Sequence, residues 1–313
     1  MAKKKTRKVG KKSSYGPLAG IWFQQIRGPF LILAVFLVLI GAAMAFRLSP
    51  GSWSWPSFLL LLAGVVSAHA SVNLFNELSD YKTGIDRRTK RTPFSGGSGL
   101  LVTGVTSPAA VSAVAYSLLV FSGLVGLYFC FKAGWIILLF MVLGGVAIRF
   151  YTSHLARFLL GELFSGLTLG TLVVLGVYYS LCRSFPPDIL FLSVPPGILT
   201  ALLLFLNEFP DAEADKSGGR RHLVIHLGKK KSAVVYAVSL AVVYALILVA
   251  PFLMNAPRTV WLALLTCPLA VKAAAITLKE YAHPGKLVPA QGLNTIVVLL
   301  TDLFLAIGYF ITI

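Results

Sequence analysis

The sequence predicts an all-α integral membrane protein, with nine transmembrane helices bundled around a central cavity as two four-helix pseudo-repeats plus a ninth helix. Three observations predict it. The 313 residues are 57% hydrophobic and only 12% charged, and the mean hydropathy of +0.82 lies far above that of a soluble domain. The apolar residues fall into runs of about 20, the length a helix needs to cross a bilayer. Two of those runs, four helices apart, end in the same pattern, Asn-Glu-x-x-Asp.

Scanning for such runs places helices near 18–46, 56–80, 107–130, 134–151, 159–182, 188–209, 231–254, 258–280 and 289–312. These runs are too long and too uniformly apolar for barrel strands, and only helices otherwise satisfy the backbone in lipid. The first run, Pro29 to Phe46, exceeds the h-region of a signal peptide and more apolar segments follow, so it reads as a retained helix. Residues 1–17 form a basic tail, "AKKKTRKVGKK" at its centre, whose natural partner so close to an apolar run is anionic lipid rather than nucleic acid. Residues 18–313 then form a single transmembrane domain.

Charge sets the expected orientation. The formal net charge is +17, from 28 Lys and Arg against 11 Asp and Glu. With the amino terminus inside, 24 of the basic residues lie at inner ends and loops, while Arg47, Lys132, Arg183 and Arg258 remain outside. Cytoplasmic loops retain Lys and Arg, so the tail and both Asn-Glu-x-x-Asp loops are expected in the cytoplasm of a multi-pass cell-membrane protein, with the carboxyl terminus outside. Cys130, Cys182 and Cys267 are scattered and form no pair motif. His222 and His226 sit in a polar loop without a third ligand and read as a solvated pair.

The acids are concentrated where the repeat places them. Seven of the 11 lie in "NELSDYKTGID" (Glu77, Asp80, Asp86) and "NEFPDAEADK" (Glu208, Asp211, Glu213, Asp215). On a helix, residues three or four apart share a face. His69, Asn73, Asn76 and Asp80 therefore form one stripe, and Asn207, Asp211 and Asp215 a second, with Pro210 expected to kink or restart its helix. One motif alone is accounted for by a solvated helix end paired with nearby Lys or Arg. Two at corresponding positions point to function, because polar groups turned into a bundle are costly. Carboxylates meeting at one mouth repel unless a cation sits between them, and oxygen ligands favour Mg²⁺. Basic Lys90, Arg91, Arg220 and Arg221 beside both motifs suit the outer oxygens of a diphosphate.

These two motifs resemble those of the UbiA superfamily of intramembrane aromatic prenyltransferases, N-D-x-x-D and D-x-x-x-D on loops after helices two and six. "NLFNELSDYKTGID" is similar to the first and "NEFPDAEADKSGGRRHLVIHLG" to the second, and the likeness runs from about residue 20 to 310. "YTSHLARFLLGELFSGLTLGTLVVLGVYY" (151–179) resembles the branch that prenylates 1,4-dihydroxy-2-naphthoate in menaquinone synthesis. Glu77 stands where Asp is common, Gly84 where some members carry a further Asp, and Asp86 matches the naphthoate-type variant.

The resemblance implies Mg²⁺-dependent transfer of a polyprenyl group from its allylic diphosphate to an aromatic acceptor. Asn76, Asp80, Asp211 and Asp215 would hold metal and diphosphate, with Asn73 and Asn207 in support and Glu77, Asp86, Glu208 and Glu213 as second choices. Arg27, Arg149, Tyr151 and Arg157 at cytoplasmic mouths, and Glu162 in the shared Gly-Glu pair, are candidates for contact with substrates. Another acceptor (4-hydroxybenzoate, a tocopherol or chlorophyll precursor, haem or a glyceryl phosphate lipid) is the alternative within the class. A transporter is the alternative outside it, although its polar groups would sit near the midplane. His69 and Asp302 read as buried polar residues packed with hydrogen-bonded partners.

Overall fold

The computed structural model describes residues 17–88, 91–94, 96–150, 161–254 and 256–311. Among them there is helix and no strand. Eight helical segments are long and apolar enough to cross a membrane. A shorter apolar helix, Ile136–Phe150, runs to the edge of the described residues. The chain is thus a multi-pass helical membrane protein, with eight spans rather than nine present among the described residues.

The first expected helix is two. The α1 helix covers Leu18–Gln25, and the first span resumes after a turn and continues as α2, Ile32–Leu48. Arg27 is the break: its φ of 55° is left-handed, and Pro29 follows within a short 3-10 turn. Proline disfavours helical geometry in the residue before it and supplies no N–H, so a new helix starts there more readily than an old one continues.

The second span, α3, extends beyond its expected end to Trp55–Thr83. Ser54 caps its start by accepting from the Ser57 N–H, and Gly84, at φ 73°, closes its end in the left-handed conformation glycine adopts freely. The next two helices are α4, Pro108–Ala133, and α5, Ile136–Phe150.

Two further spans set the site. The α6 helix covers Gly161–Cys182 and α7 covers Pro187–Ser217. Residues Ser165–Thr171 of α6 are wound as a π-helix, a form that gathers at functional sites. Here α6 and α7 touch backbone to backbone: a Cβ at Gly166 would lie 2.6 Å from the Gly197 carbonyl oxygen, and one at Gly170 2.6 Å from the Gly197 Cα. Small residues allow such approach in a bilayer, and Thr171 donates across it to the Ser193 carbonyl at 3.0 Å. Contrary to expectation α7 does not restart at Pro210 but stays helical to Ser217, with Phe209, Ala212 and Asp215 buried on either side. Packing of that face overrides the local cost of the proline.

A short α8, Leu223–Leu227, leads into α9, Lys229–Leu253, α10, Arg258–Glu280, and α11, Pro284–Phe310. The α11 helix packs on α2, α7 and α10, so the last span closes the bundle against the first. On α11, Asp302 is wholly buried, and neither carboxyl oxygen makes a hydrogen bond among the described residues. The His69 Nδ1 is likewise without one. The expected hydrogen-bonded partner is therefore missing for Asp302 among the described residues, and for the Nδ1 atom of His69.

Candidate active site

The two acidic motifs meet at one end of the bundle. Asp80 is in the last turn of α3, and Asp211 and Asp215 are in the last two turns of α7. The loop after α7 returns Arg220 between them. Its Nη1 donates to Asp215 Oδ1 at 2.7 Å and its Nη2 donates to Asp80 Oδ1, so one guanidinium ties both motifs together. A second link joins the turn after α3 to the end of α7, where Arg88 donates to Ser217 Oγ at 3.0 Å.

The remaining polar residues of the stripes support this mouth. Asn73 donates to the Ile26 carbonyl at 3.0 Å and fixes the turn between α1 and α2. Asn207 accepts from Gln291 of α11 at 3.1 Å. Arg27 donates to the Phe94 carbonyl at 3.0 Å and stacks over Phe30 at 4.5 Å from the ring centroid. Burial lowers the Arg27 pKa from its ordinary value, while Glu77, Asp211, Asp80 and Asp86 hold it up, so this cation feels both motifs at once.

Glu77 has a different task from Asp80. Its Oε1 accepts from the Ser98 N–H at 3.1 Å and from the Ser98 hydroxyl, and its Oε2 accepts from Gln25. Gln25 in turn accepts from Thr106 at 2.7 Å. Both carboxylate oxygens are thus engaged in fastening α1 and the 96–106 segment to α3. Asp86, in the turn after α3, is 5% exposed, and its Oδ2 makes no hydrogen bond. Burial first, and then the charge of Glu77, push its carboxyl up to about 6.

Glu162, at the start of α6, accepts from the Leu223 N–H at 2.7 Å and lies beside Glu208 and His222. His222 is not the solvated residue expected. It is 1% exposed, with Nδ1 3.4 Å from Glu208 and Nε2 3.3 Å from Asp215, whereas His226 is exposed. The i,i+4 pairing of the two histidines concealed this. The signal that would have found it is the second acidic motif itself, whose helix end the loop brings back alongside.

Other candidates are more exposed. Glu213, Arg91 and Arg221 are exposed, Arg91 donating to the Gly96 carbonyl at 3.1 Å. Arg149 is exposed at the end of α5. Lys90, Tyr151 and Arg157 lie outside the described residues.

Beneath the mouth is a cavity of about 370 Å³. Arg27, Asn73, Asn76 and Asn207 line its polar end, and residues such as Val125, Phe129, Phe140 and Met141 line the rest. The His69, Asn73, Asn76 stripe therefore does face the interior. The Asp211 Oδ1 and Asp86 Oδ2 atoms are buried without hydrogen bonds. Bare carboxylate oxygens suit a hard divalent cation, but Asp80, Asp86, Asp211 and Asp215 are not gathered within metal-ligand spacing, whereas Glu162, Glu208 and His222 are, among the described residues.

The model of the UbiA prenyltransferase family matches residues 19–288. The chain belongs to the UbiA prenyltransferase family. Relatives within reach of this UbiA family prenyltransferase include a 2-carboxy-1,4-naphthoquinone phytyltransferase of Synechocystis sp., 29% identical over 80% of each chain. A 1,4-dihydroxy-2-naphthoate octaprenyltransferase of Bacillus subtilis is 30% identical over 74% of this chain and 73% of its own. Among solved structures, a UbiA homolog from Aeropyrum pernix K1 superposes with a TM-score of 0.69 at 18% identity, covering 90% of this chain and 96% of that one. A UbiA homolog from Archaeoglobus fulgidus bound to DMAPP and Mg²⁺ gives 0.61 at 17% identity, over 93% and 99%.

Proposed function

We propose that the protein transfers a polyprenyl group from an allylic diphosphate to 1,4-dihydroxy-2-naphthoate, in a Mg²⁺-dependent reaction of menaquinone biosynthesis. The observation that carries this reading is a carboxylate mouth drawn from two helix ends and opening on an apolar cavity. The mouth suits a metal-bound diphosphate and the cavity suits its hydrocarbon tail. The acceptor is drawn from the naphthoate-prenylating relatives.

In this reading Asn76, Asp80, Asp211 and Asp215 hold the metal, with Asp86 as a further oxygen donor. When bound, Mg²⁺ supplies positive charge against the phosphate oxygens as negative charge develops on the leaving group. Arg220 and Arg27 add fixed cations on the same side, and Asn73 and Asn207 hold the helices at the geometry the diphosphate meets. Departure of the diphosphate leaves an allylic cation in the cavity, whose apolar walls exclude water until the electron-rich ring of the acceptor attacks; the attacked ring carbon then loses its proton or carboxyl group and the ring regains its aromaticity.

Residues 18–313 act as one transmembrane domain, with the helix Ile136–Phe150 counted as one of nine spans. The tail and the active-site mouth face the cytoplasm of a cell membrane. Support comes from the basic residues: Arg47, Lys132, Arg183 and Arg258 stand at the opposite ends of their spans from the mouth.

The test is purified protein in lipid with a panel of prenyl diphosphates and three acceptors: dihydroxynaphthoate, 4-hydroxybenzoate and glyceryl phosphate. Mass analysis is expected to find the prenylated naphthoate, formed with Mg²⁺ and not with EDTA. A product on 4-hydroxybenzoate or glyceryl phosphate alone would reassign the acceptor, and no product from any pair would sink the reading.

A further inference from the structure

Beside the diphosphate mouth lies a second cluster with a different donor set. Glu162 from α6, Glu208 from α7 and His222 from the loop after α7 each offer one ligand atom, and these atoms lie within 4.8 Å of one another. All three residues are more than nine-tenths buried, at 4%, 8% and 1% exposure. Glu162 Oε2, Glu208 Oε2 and His222 Nδ1 make no hydrogen bond.

We propose that Glu162, Glu208 and His222 form a site for a divalent transition ion of the manganese, cobalt or zinc class, separate from the magnesium site. An ion with bonds of about 2.0–2.2 Å holds neighbouring ligand atoms roughly 3–4 Å apart. The 3.4 Å between His222 Nδ1 and Glu208 Oε2 is such a spacing. The imidazole nitrogen selects against Mg²⁺, which prefers an all-oxygen shell, and toward borderline transition ions. Glu162 is also held from behind. The Leu223 N–H fixes the other oxygen of Glu162 at 2.7 Å. The second ring nitrogen of His222 lies 3.3 Å from Asp215 Oδ2 without a hydrogen bond in this geometry, within reach of the carboxylate partner that metal-bound histidines commonly have.

The arrangement explains why the fold brings two carboxylates together in a buried place. The close α6–α7 crossing at Gly166 and Gly197 holds together the two helices that carry Glu162 and Glu208. Arg220 serves Asp215 at 2.7 Å, while Glu162 Oε2 and Glu208 Oε2 make no hydrogen bond among the described residues. With an ion, the histidine ties the second site to the magnesium clamp through Asp215.

The experiment is equilibrium dialysis of the full protein in detergent against Co²⁺, with saturating Mg²⁺ throughout and visible absorption as the readout. The expected result is one Co²⁺ per chain with d–d bands that Mg²⁺ does not abolish. E162Q and H222N should each weaken it about 10–100-fold, while D80N, at the magnesium site, retains it. Near-UV circular dichroism confirms folding, and E208Q replaces either variant that fails. Wild-type protein binding no Co²⁺ over Mg²⁺ would overturn the proposal, as would E162Q and E208Q binding it like wild type or D80N losing it. Failure of the prenyl-transfer reading would show in the acceptor panel and leave this binding untouched.

Discussion

Arg220 holds Asp80 and Asp215 through separate nitrogens of one guanidinium, Nη2 to the first and Nη1 to the second at 2.7 Å. The two acids are 135 positions apart in the chain, yet they share one counter-charge. Breaking a buried pair by removing one partner costs about 3–5 kcal/mol, because the other charge is left without compensation. Arg220→Met is therefore expected to lower the melting temperature clearly in EDTA, and added Mg²⁺ is expected to restore part of the loss by replacing the missing cation. Thermal unfolding with and without Mg²⁺ checks this. An equal loss in both conditions would show that the arginine is mainly packing.

Asp80→Asn and Asp211→Asn keep the shape of each side chain and remove a charge from the metal set. Prenyl transfer is expected to fall at least about 100-fold in each, the scale of losing an electrostatic group that acts on a leaving group. The protein should remain inserted and fold normally by circular dichroism. Full activity in both variants would remove these residues from the site.

Glu77 gives the contrasting case. Its oxygens serve Ser98 and Gln25, so Glu77→Ala leaves buried donors unmet, at about 1–3 kcal/mol. The segment around Arg91 should become easier for trypsin to cut, while Mg²⁺ affinity measured by calorimetry stays near wild type. A large loss of metal binding with no change in proteolysis would return Glu77 to the ligand set.

Asp86 supplies a pH dependence. With its carboxyl raised to about 6 in the metal-free protein, it is ionised above that value and protonated below. A proton and a metal ion compete for the same oxygens. Mg²⁺ affinity should therefore weaken as pH falls through about 6, by up to about tenfold per pH unit for one displaced proton, and Asp86→Asn should flatten that part of the profile. Identical profiles for the two proteins would exclude Asp86.

The cavity wall offers a test of chain length. Gly123 and Gly145 line it, and a Cβ built on either meets nothing within 4 Å. Gly123→Leu fills this space, and discrimination by a few methylenes in an apolar pocket is worth about 1–3 kcal/mol. The ratio of kcat/KM for a long over a short prenyl diphosphate should drop by about tenfold or more.

Much of this was legible in the sequence, for identifiable reasons. The spans were visible because bilayer crossing demands long apolar runs, and the His69, Asn73, Asn76 stripe because helical spacing fixes which residues share a face. The break at Arg27 was missed because one left-handed residue before a proline does not interrupt the hydropathy of the run. Continuity through Pro210 was missed because burial of Phe209 and Ala212 outweighs a local rule. The burial of His222 and the separate duty of Glu77 depend on loops returning over helix ends, which spacing along one helix does not encode.

The polar mouth joined to an apolar cavity has a kinetic consequence. A substrate whose head fits the one and whose tail fits the other is dissolved in the membrane before it meets the protein. On the proposed function, half-saturation would then scale with the mole fraction of prenyl diphosphate among the lipids rather than with its bulk molarity. Diluting the membrane with inert lipid would slow the reaction as surely as removing substrate.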